Sequence, residues 1–297
     1  MATAPQHGHG HRHGSLAVPL TCQISASLSR AIHERQKSTG ESVGHLVRAA
    51  LADYLQVDHG TLFQISTAGA LVEGLYRGEV TVGSLREHGD FGLGTFDGLD
   101  GEMVVLDGHF YQVRSDGSVR DVDDKVRTPY AMVTRFPAGP AVALPPTADL
   151  AALTQQIDRL RDSQNVFYAV RIDGEFDSIT TRSVSRTPEG VPLIEAAANQ
   201  HEFHLQNVRG TLVGFWSPGF LKTILVAGYH LHFLSDDRTS GGHLLGCSGR
   251  MLSAQILREA DFRVSLPESP SFLHADLTRD PAHDLNHAER STPEEHV

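Results

Sequence analysis

After Asp58 the chain is written in short apolar runs separated by glycine, aspartate and proline. GEMVVLDGHFYQV (101–113), NVFYAVRIDGEF (165–176) and GTLVGFW (210–216) each have the length and residue types of strands. Asp107-Gly108 and Asp173-Gly174 read as two-residue hairpin turns, because such turns need a positive φ that glycine reaches without strain. One clear helix interrupts the strands. Thr147 is expected to cap it, with Leu150, Leu153, Ile157 and Leu160 facing inward. Pro145-Pro146 just before it predicts a boundary between two halves. A shorter helix is expected either over 192–198 or over 220–223. The class implied is α+β.

Composition narrows the partners. The chain has 297 residues, 40% apolar and 21% charged, which suits a globular protein. A formal charge of −11 excludes a nucleic-acid coat over the whole chain, though not a small DNA-contacting module. Cys22 and Cys247 lie far apart and suit a reducing compartment better than a disulfide scaffold. No apolar run approaches the roughly 20 residues of a membrane helix. Met1–Gly14 holds alternating His7, His9, His11 and His13 with no apolar signal core, so a cytoplasmic location is expected. Residues 1–17 read as a disordered tail, with a weak metal-binding arm as the other reading. At the other end Phe272, Leu273 and Leu277 are expected to anchor a polar segment. His283–Val297 has the composition of a disordered tail.

Residues 18–57 differ from both. Leu20, Cys22 and Ile24 alternate with Thr21, Gln23 and Ser25, predicting a short strand. Ser27 is expected to cap a first helix that stops at Gly40, and Ser42 a second with Val43, Leu46, Val47, Ala50, Leu51 and Tyr54 on one face. The stretch LTCQISASLSRAIHERQKSTGESVGHLVRAALADYL resembles the β-α-α ribbon-helix-helix modules of Arc- and CopG-type regulators. The resemblance implies a ribbon shared between two copies, hence a homodimer, with Thr21, Gln23 and Ser25 as candidate DNA contacts. None of those three is basic, and the module carries four cations against three anions. Dimerisation without DNA affinity is the competing reading.

The chemistry concentrates in GYHLHFLSDDRTSGGH (228–243). His230 and His232 are two apart, so a strand points both to one face. SDDR and the two glycines make a turn, and His243 returns on the next strand to complete a set of three. Three imidazoles leave coordination positions open, the pattern of a catalytic metal. Imidazole nitrogen suits zinc, copper, nickel or iron, so residue type leaves the metal open. Asp236, Asp237 and Arg238 are assigned to the turn, Phe215 and Trp216 to the core, and His88 and Asp90 to structural roles.

Three long segments carry a family resemblance: 61–113 with HGDFGLGTF and LDGE, 176–184 (FDSITTRSV), and 210–246 with the histidine hairpin, followed by SFLHADL (271–277). They resemble the bacterial acetolactate decarboxylases from residue 60 to about 290. The resemblance implies a domain over 58–290 followed by a disordered 291–297, and a mixed β-sheet beside a small β-barrel. It implies Zn2+ on His230, His232 and His243, an active-site glutamate at Glu102, an arginine at Arg182 and a pocket residue at Thr95. It also implies a glutamate from the C-terminal segment, matched to Glu289 in HAER. The implied reaction is decarboxylation of 2-acetolactate to acetoin and CO2 through a metal-stabilised enediolate. Ala227 and Gly246 depart from the family's usual proline and aspartate without touching these residues. A DNA-binding regulator that senses a metabolite through a decarboxylase-like domain is the alternative.

Overall fold

The structure is a computed structural model, and it describes residues 21–55 and 60–289. The predicted tails over 1–17 and 291–297 and the Leu20 end of the predicted first strand lie outside the described residues.

The first described segment is a helical pair, α1 (Ala26–Thr39) and α2 (Val43–Leu55). Gly40 ends α1 as predicted, at φ 76°, and its amide donates to the Gln36 carbonyl. The cap at the other end is Ser25 rather than Ser27: the Ser25 hydroxyl accepts the Leu28 amide. Thr21–Ser25 form no strand. A lone ribbon strand has no ladder partner within one chain, so its hydrogen bonds cannot form there. Four apolar side chains of the pair, Leu28, Val43, Val47 and Leu51, are exposed.

The rest is strand-rich. β1 (Thr61–Ile65), α3 (Ala68–Val72), β2 (Val80–Thr81), α4 (Val82–Arg86), β3 (Phe91–Thr95), β4 (Glu102–Leu106), β5 (His109–Val113) and β6 (Val119–Asp121) come first. β7 (Arg127–Thr128), β8 (Ala131–Thr134), β9 (Val142–Leu144) and α5 (Leu150–Asp158) follow. Then come β10 (Phe167–Ser183), α6 (Leu193–Ala197), β11 (His201–Ser217), β12 (Gly228–Ser235) and β13 (Gly241–Glu259). β14 (Asp261–Ser265), α7 (Pro270–His274) and α8 (Ala282–Glu289) complete the described chain.

A seven-stranded sheet runs β14-β1-β8-β3-β4-β5-β6, with β14 parallel to β1 and the other pairs antiparallel. A second sheet runs β10-β11-β12-β13-β9, and β10 also pairs with β13, so its long strands form a circuit. The class is α+β, as expected.

Several local expectations change. Asp107-Gly108 is a hairpin turn, with φ of 52° and 79°. Asp173-Gly174 is not; both lie inside β10, which pairs with β11 on one side and β13 on the other. A two-sided ladder outweighs the turn preference of an Asp-Gly pair. The α5 cap is Asp149, whose carboxylate accepts the Ala152 amide, while Thr147 bridges to Gly249. Leu153 and Ile157 are fully buried as predicted. Pro145-Pro146 is not the seam between halves, because β9 before it already pairs with β13. Both candidate short helices exist, α6 as an α-helix and Gly219–Leu221 as a 3₁₀ turn. His283–Glu289 is helical rather than irregular, because Leu285 and Ala288 bury into the core. Leu273, expected to anchor the tail, is exposed.

Strand parity divides the core. Met103 and Val105 join a cluster on the outer face of the first sheet, whereas Val104 and Leu106 join the cluster between the sheets. Leu231 and Phe233 fill the interior of the second sheet with Leu153 and Ile157. Leu234, two residues beyond His232, faces the first sheet. That intersheet layer holds the functional groups. Among the described residues, no helix is long and apolar enough to cross a membrane.

Candidate metal centre

Parity delivers each polar side chain to the same layer. On β12, His230 and His232 take the face of Leu234, away from Leu231 and Phe233. His243 on β13 stands directly opposite His232 in the ladder. On β10, Arg182 pairs in register with His243, and Val184, just past the end of the strand, joins the intersheet cluster. From the facing sheet, Glu102 takes the face of Val104, and Thr95 pairs with it across β3 and β4. Glu289 arrives from the end of α8.

The three imidazoles lie with ring centroids 5.1, 5.1 and 5.3 Å apart, and one ring nitrogen of each lies within 4.8 Å of the others. His232 Nδ1 donates to the Met103 carbonyl at 2.8 Å, and His243 Nε2 donates to the Glu289 carbonyl at 2.9 Å. His232 Nε2, His243 Nδ1 and His230 Nδ1 are buried without hydrogen-bond partners. Buried polar atoms are nearly always satisfied, so unpartnered nitrogens on three rings that each offer one ligand atom within 4.8 Å of the others are what a bound divalent cation would resolve. Burial, aided by Arg182, pushes His230 down to about 3; burial, then His230, does the same for His232. His243 is held well below the usual range by burial first and Arg182 second. All three rings are therefore neutral, the state that donates to metals.

Two carboxylates and a guanidinium surround them. Arg182 Nη1 lies 3.3 Å from Glu102 Oε1, and Nη2 lies 3.5 Å from Glu289 Oε2. Glu289 Oε2 is also 3.4 Å from His230 Nε2 and 3.3 Å from His243 Nδ1, and Glu102 Oε2 is 3.7 Å from His232 Nε2. Burial raises Glu102 to about 7, with Arg182 opposing and Glu289 adding to the rise. Burial raises Glu289 too, against Arg182 and His232. The Thr95 hydroxyl donates to the Gly101 carbonyl, which holds the turn that presents Glu102.

Thr95, Glu102, Arg182, His230, His232 and Glu289 line one pocket. Its apolar wall includes Leu71, Leu99, Val184, Val226 and Leu285, and Tyr130 closes one side. Sequence reasoning missed these. Val184 alone carried a signal, since it stands two residues from Arg182. Gly242, at φ 129°, lets the hairpin approach β10: a Cβ there would meet the Arg182 carbonyl oxygen at 2.5 Å. Outside the pocket, His88 stacks on Phe63 at 3.8 Å and Asp90 accepts the Phe136 amide. Asp237 binds Ser235 and Thr239 within the turn. Phe215 is buried. Thr21, Gln23 and Ser25 are exposed at the start of the helical pair and are not brought to this site.

Residues 62–279 match the family model described as Alpha-acetolactate decarboxylase. An alpha-acetolactate decarboxylase of Methylococcus capsulatus is 44% identical over 78% of this chain and 89% of its own. One from Methanosarcina mazei is 40% identical over 86% and 88%. The crystal structure of alpha-acetolactate decarboxylase from Bacillus subtilis strain 168 superposes with a TM-score of 0.75 at 36% identity, covering 78% of this chain and all of that one. The protein is thus an enzyme of the carboxy-lyase class. Within that class, it belongs to the alpha-acetolactate decarboxylase family. The matched residues stop before α8 and begin after the α1–α2 pair.

Proposed function

We propose that this chain removes CO2 from 2-acetolactate to give acetoin, using a zinc ion held by His230, His232 and His243. The observation that carries the proposal is three buried imidazoles, each with one ring nitrogen within 4.8 Å of the others, beside two carboxylates and an arginine. When bound, the divalent cation supplies a Lewis acid that draws charge from the breaking carbon–carbon bond.

This chain's own groups do the rest. The Arg182 guanidinium offers a fork to the substrate carboxylate. Its hold on Glu102 and Glu289 fixes the plane of that fork. Loss of CO2 leaves an electron pair as an enediolate, which must take a proton on carbon. Glu102, raised to about 7 by burial, holds a proton near neutral pH and can deliver it. Thr95 positions Glu102 through Gly101. The apolar wall takes the methyl groups and keeps bulk water away from the enediolate.

The test is metal analysis together with acetoin formation from racemic acetolactate. Full-length protein is expected to hold one zinc per chain and to release acetoin, and His232→Ala to lose both. His232→Ala protein with full zinc and full turnover overturns the site.

The closed β10-β11-β12-β13 pairing supports the barrel reading of the second sheet. Residues 58–290 would form the catalytic domain and 18–57 a separate module. The exposed apolar stripe of α1 and α2 favours dimerisation by that module over DNA binding, and the Ser25 hydroxyl is already spent on its helix cap. With two unpaired cysteines, the protein suits the cytoplasm.

A further inference from the structure

The His243 ring offers two nitrogens, and the C-terminal helix takes one of them. Nε2 donates to the main-chain carbonyl of Glu289 at 2.9 Å, which leaves Nδ1 turned inward, buried and unpartnered. His232 is braced likewise, but by Met103 inside the first sheet. The brace on His243 therefore comes from a separate element, which lies beyond the residues that match the family model. Glu289 thus acts twice: its carboxylate sits 3.3–3.4 Å from two imidazoles, and its carbonyl orients one of them.

What holds that carbonyl in place is apolar. Leu285 and Ala288 are buried in the intersheet core with Leu71 of α3 and Leu193, Ala196 and Ala197 of α6. The polar ties of the same segment, Lys222 to Asp280 and Arg279 to Glu73 and Asp284, each involve at least one exposed side chain and are weak in water. Leu285 also lines the pocket without touching the ring nitrogens by any polar atom.

We propose that α8 is a detachable brace of the metal site, in which Leu285 seats the helix and the Glu289 carbonyl sets His243. Metal affinity and helix docking are then linked, and each strengthens the other equally. Groups that orient a ligand from behind typically change metal affinity 10- to 100-fold when lost. The inference rests on the metal-centre reading above.

The experiment measures zinc affinity of full-length variants by competition with a chromogenic chelator, and proteolysis of the C-terminal segment with and without zinc. Leu285→Ala is expected to weaken zinc binding by about tenfold or more, and Leu285→Met to stay within about twofold. Glu289→Ala removes the carboxylate but keeps the carbonyl. Adding Leu285→Ala to it is expected to cost a further factor of about ten. Zinc is expected to slow cleavage within 281–289 in wild type. Wild-type affinity in Leu285→Ala, or a double variant no weaker than Glu289→Ala alone, overturns the brace. So does cleavage indifferent to zinc. A wild-type chain that takes up no zinc removes the metal centre itself, and is told apart by that measurement alone.

Discussion

Arg182 is almost completely buried and faces two carboxylates, so its charge is spent locally rather than on solvent. A lysine there keeps the charge but loses the planar fork that grips a carboxylate at two points. Arg182→Lys is expected to keep zinc and to lose roughly 10- to 100-fold in kcat/KM, the loss of a charge-assisted pair worth about 1.5–3 kcal/mol. Steady-state kinetics beside metal analysis checks it, and a change under twofold sinks the fork. Glu259 makes a different residue-scale prediction. It is buried, accepts the Thr134 hydroxyl at 2.6 Å, and is raised to about 7 by burial, against the Thr134 bond and with Asp261. The folded state then binds its proton more tightly than the unfolded chain between about 4.5 and 7. Its stabilising share is full below that window and is lost as pH rises through it, by a few kcal/mol in total. Glu259→Gln should flatten that part of the pH dependence in denaturant unfolding; an unchanged slope assigns it elsewhere.

At the scale of elements, the histidine hairpin works because of its glycines. Gly242 needs a φ that side chains avoid, and it presses against the Arg182 carbonyl. Gly242→Ala is expected to cost about 2–4 kcal/mol in stability and to lower zinc affinity. Gly246→Ala, with a normal φ and nothing nearer than 4.0 Å, is expected to fall within about 0.5 kcal/mol of wild type. Thermal unfolding of the two compares them directly, and equal losses refute the strain. The same contrast shows what was readable in advance. Asp107-Gly108 turned as its residues predict because its strands have one another and nothing between. Asp173-Gly174 carries the same signal, but β10 is laddered on both edges across that point. The pairing of His232 with His243 was legible because only a short turn separates them. Glu102, Arg182 and Glu289 came from the family resemblance alone, since no local pattern ties residues eighty or more apart. The α8 helix was missed for a related reason: two buried side chains, Leu285 and Ala288, are too few to show a periodic stripe.

Among the described residues, every group placed around the metal site belongs to residues 68–289, while α1 and α2 carry a row of exposed apolar side chains. Val43, Val47 and Leu51 recur at helical spacing, 37–39% exposed, and Leu55 continues the row at 61%. A stripe of that kind lowers its free energy by meeting another apolar face, and a second copy of the module offers an identical one. The full chain is therefore expected to dimerise through this pair. Leu51→Lys places a charge in the stripe at a site already exposed, so the helix itself should survive. Sedimentation at micromolar protein is expected to show a dimer for wild type and a monomer for Leu51→Lys. Acetoin turnover per chain should remain within about twofold, because no site group lies in the module. A variant that stays dimeric moves the interface onto the catalytic body, and a monomeric wild type leaves the stripe without this partner.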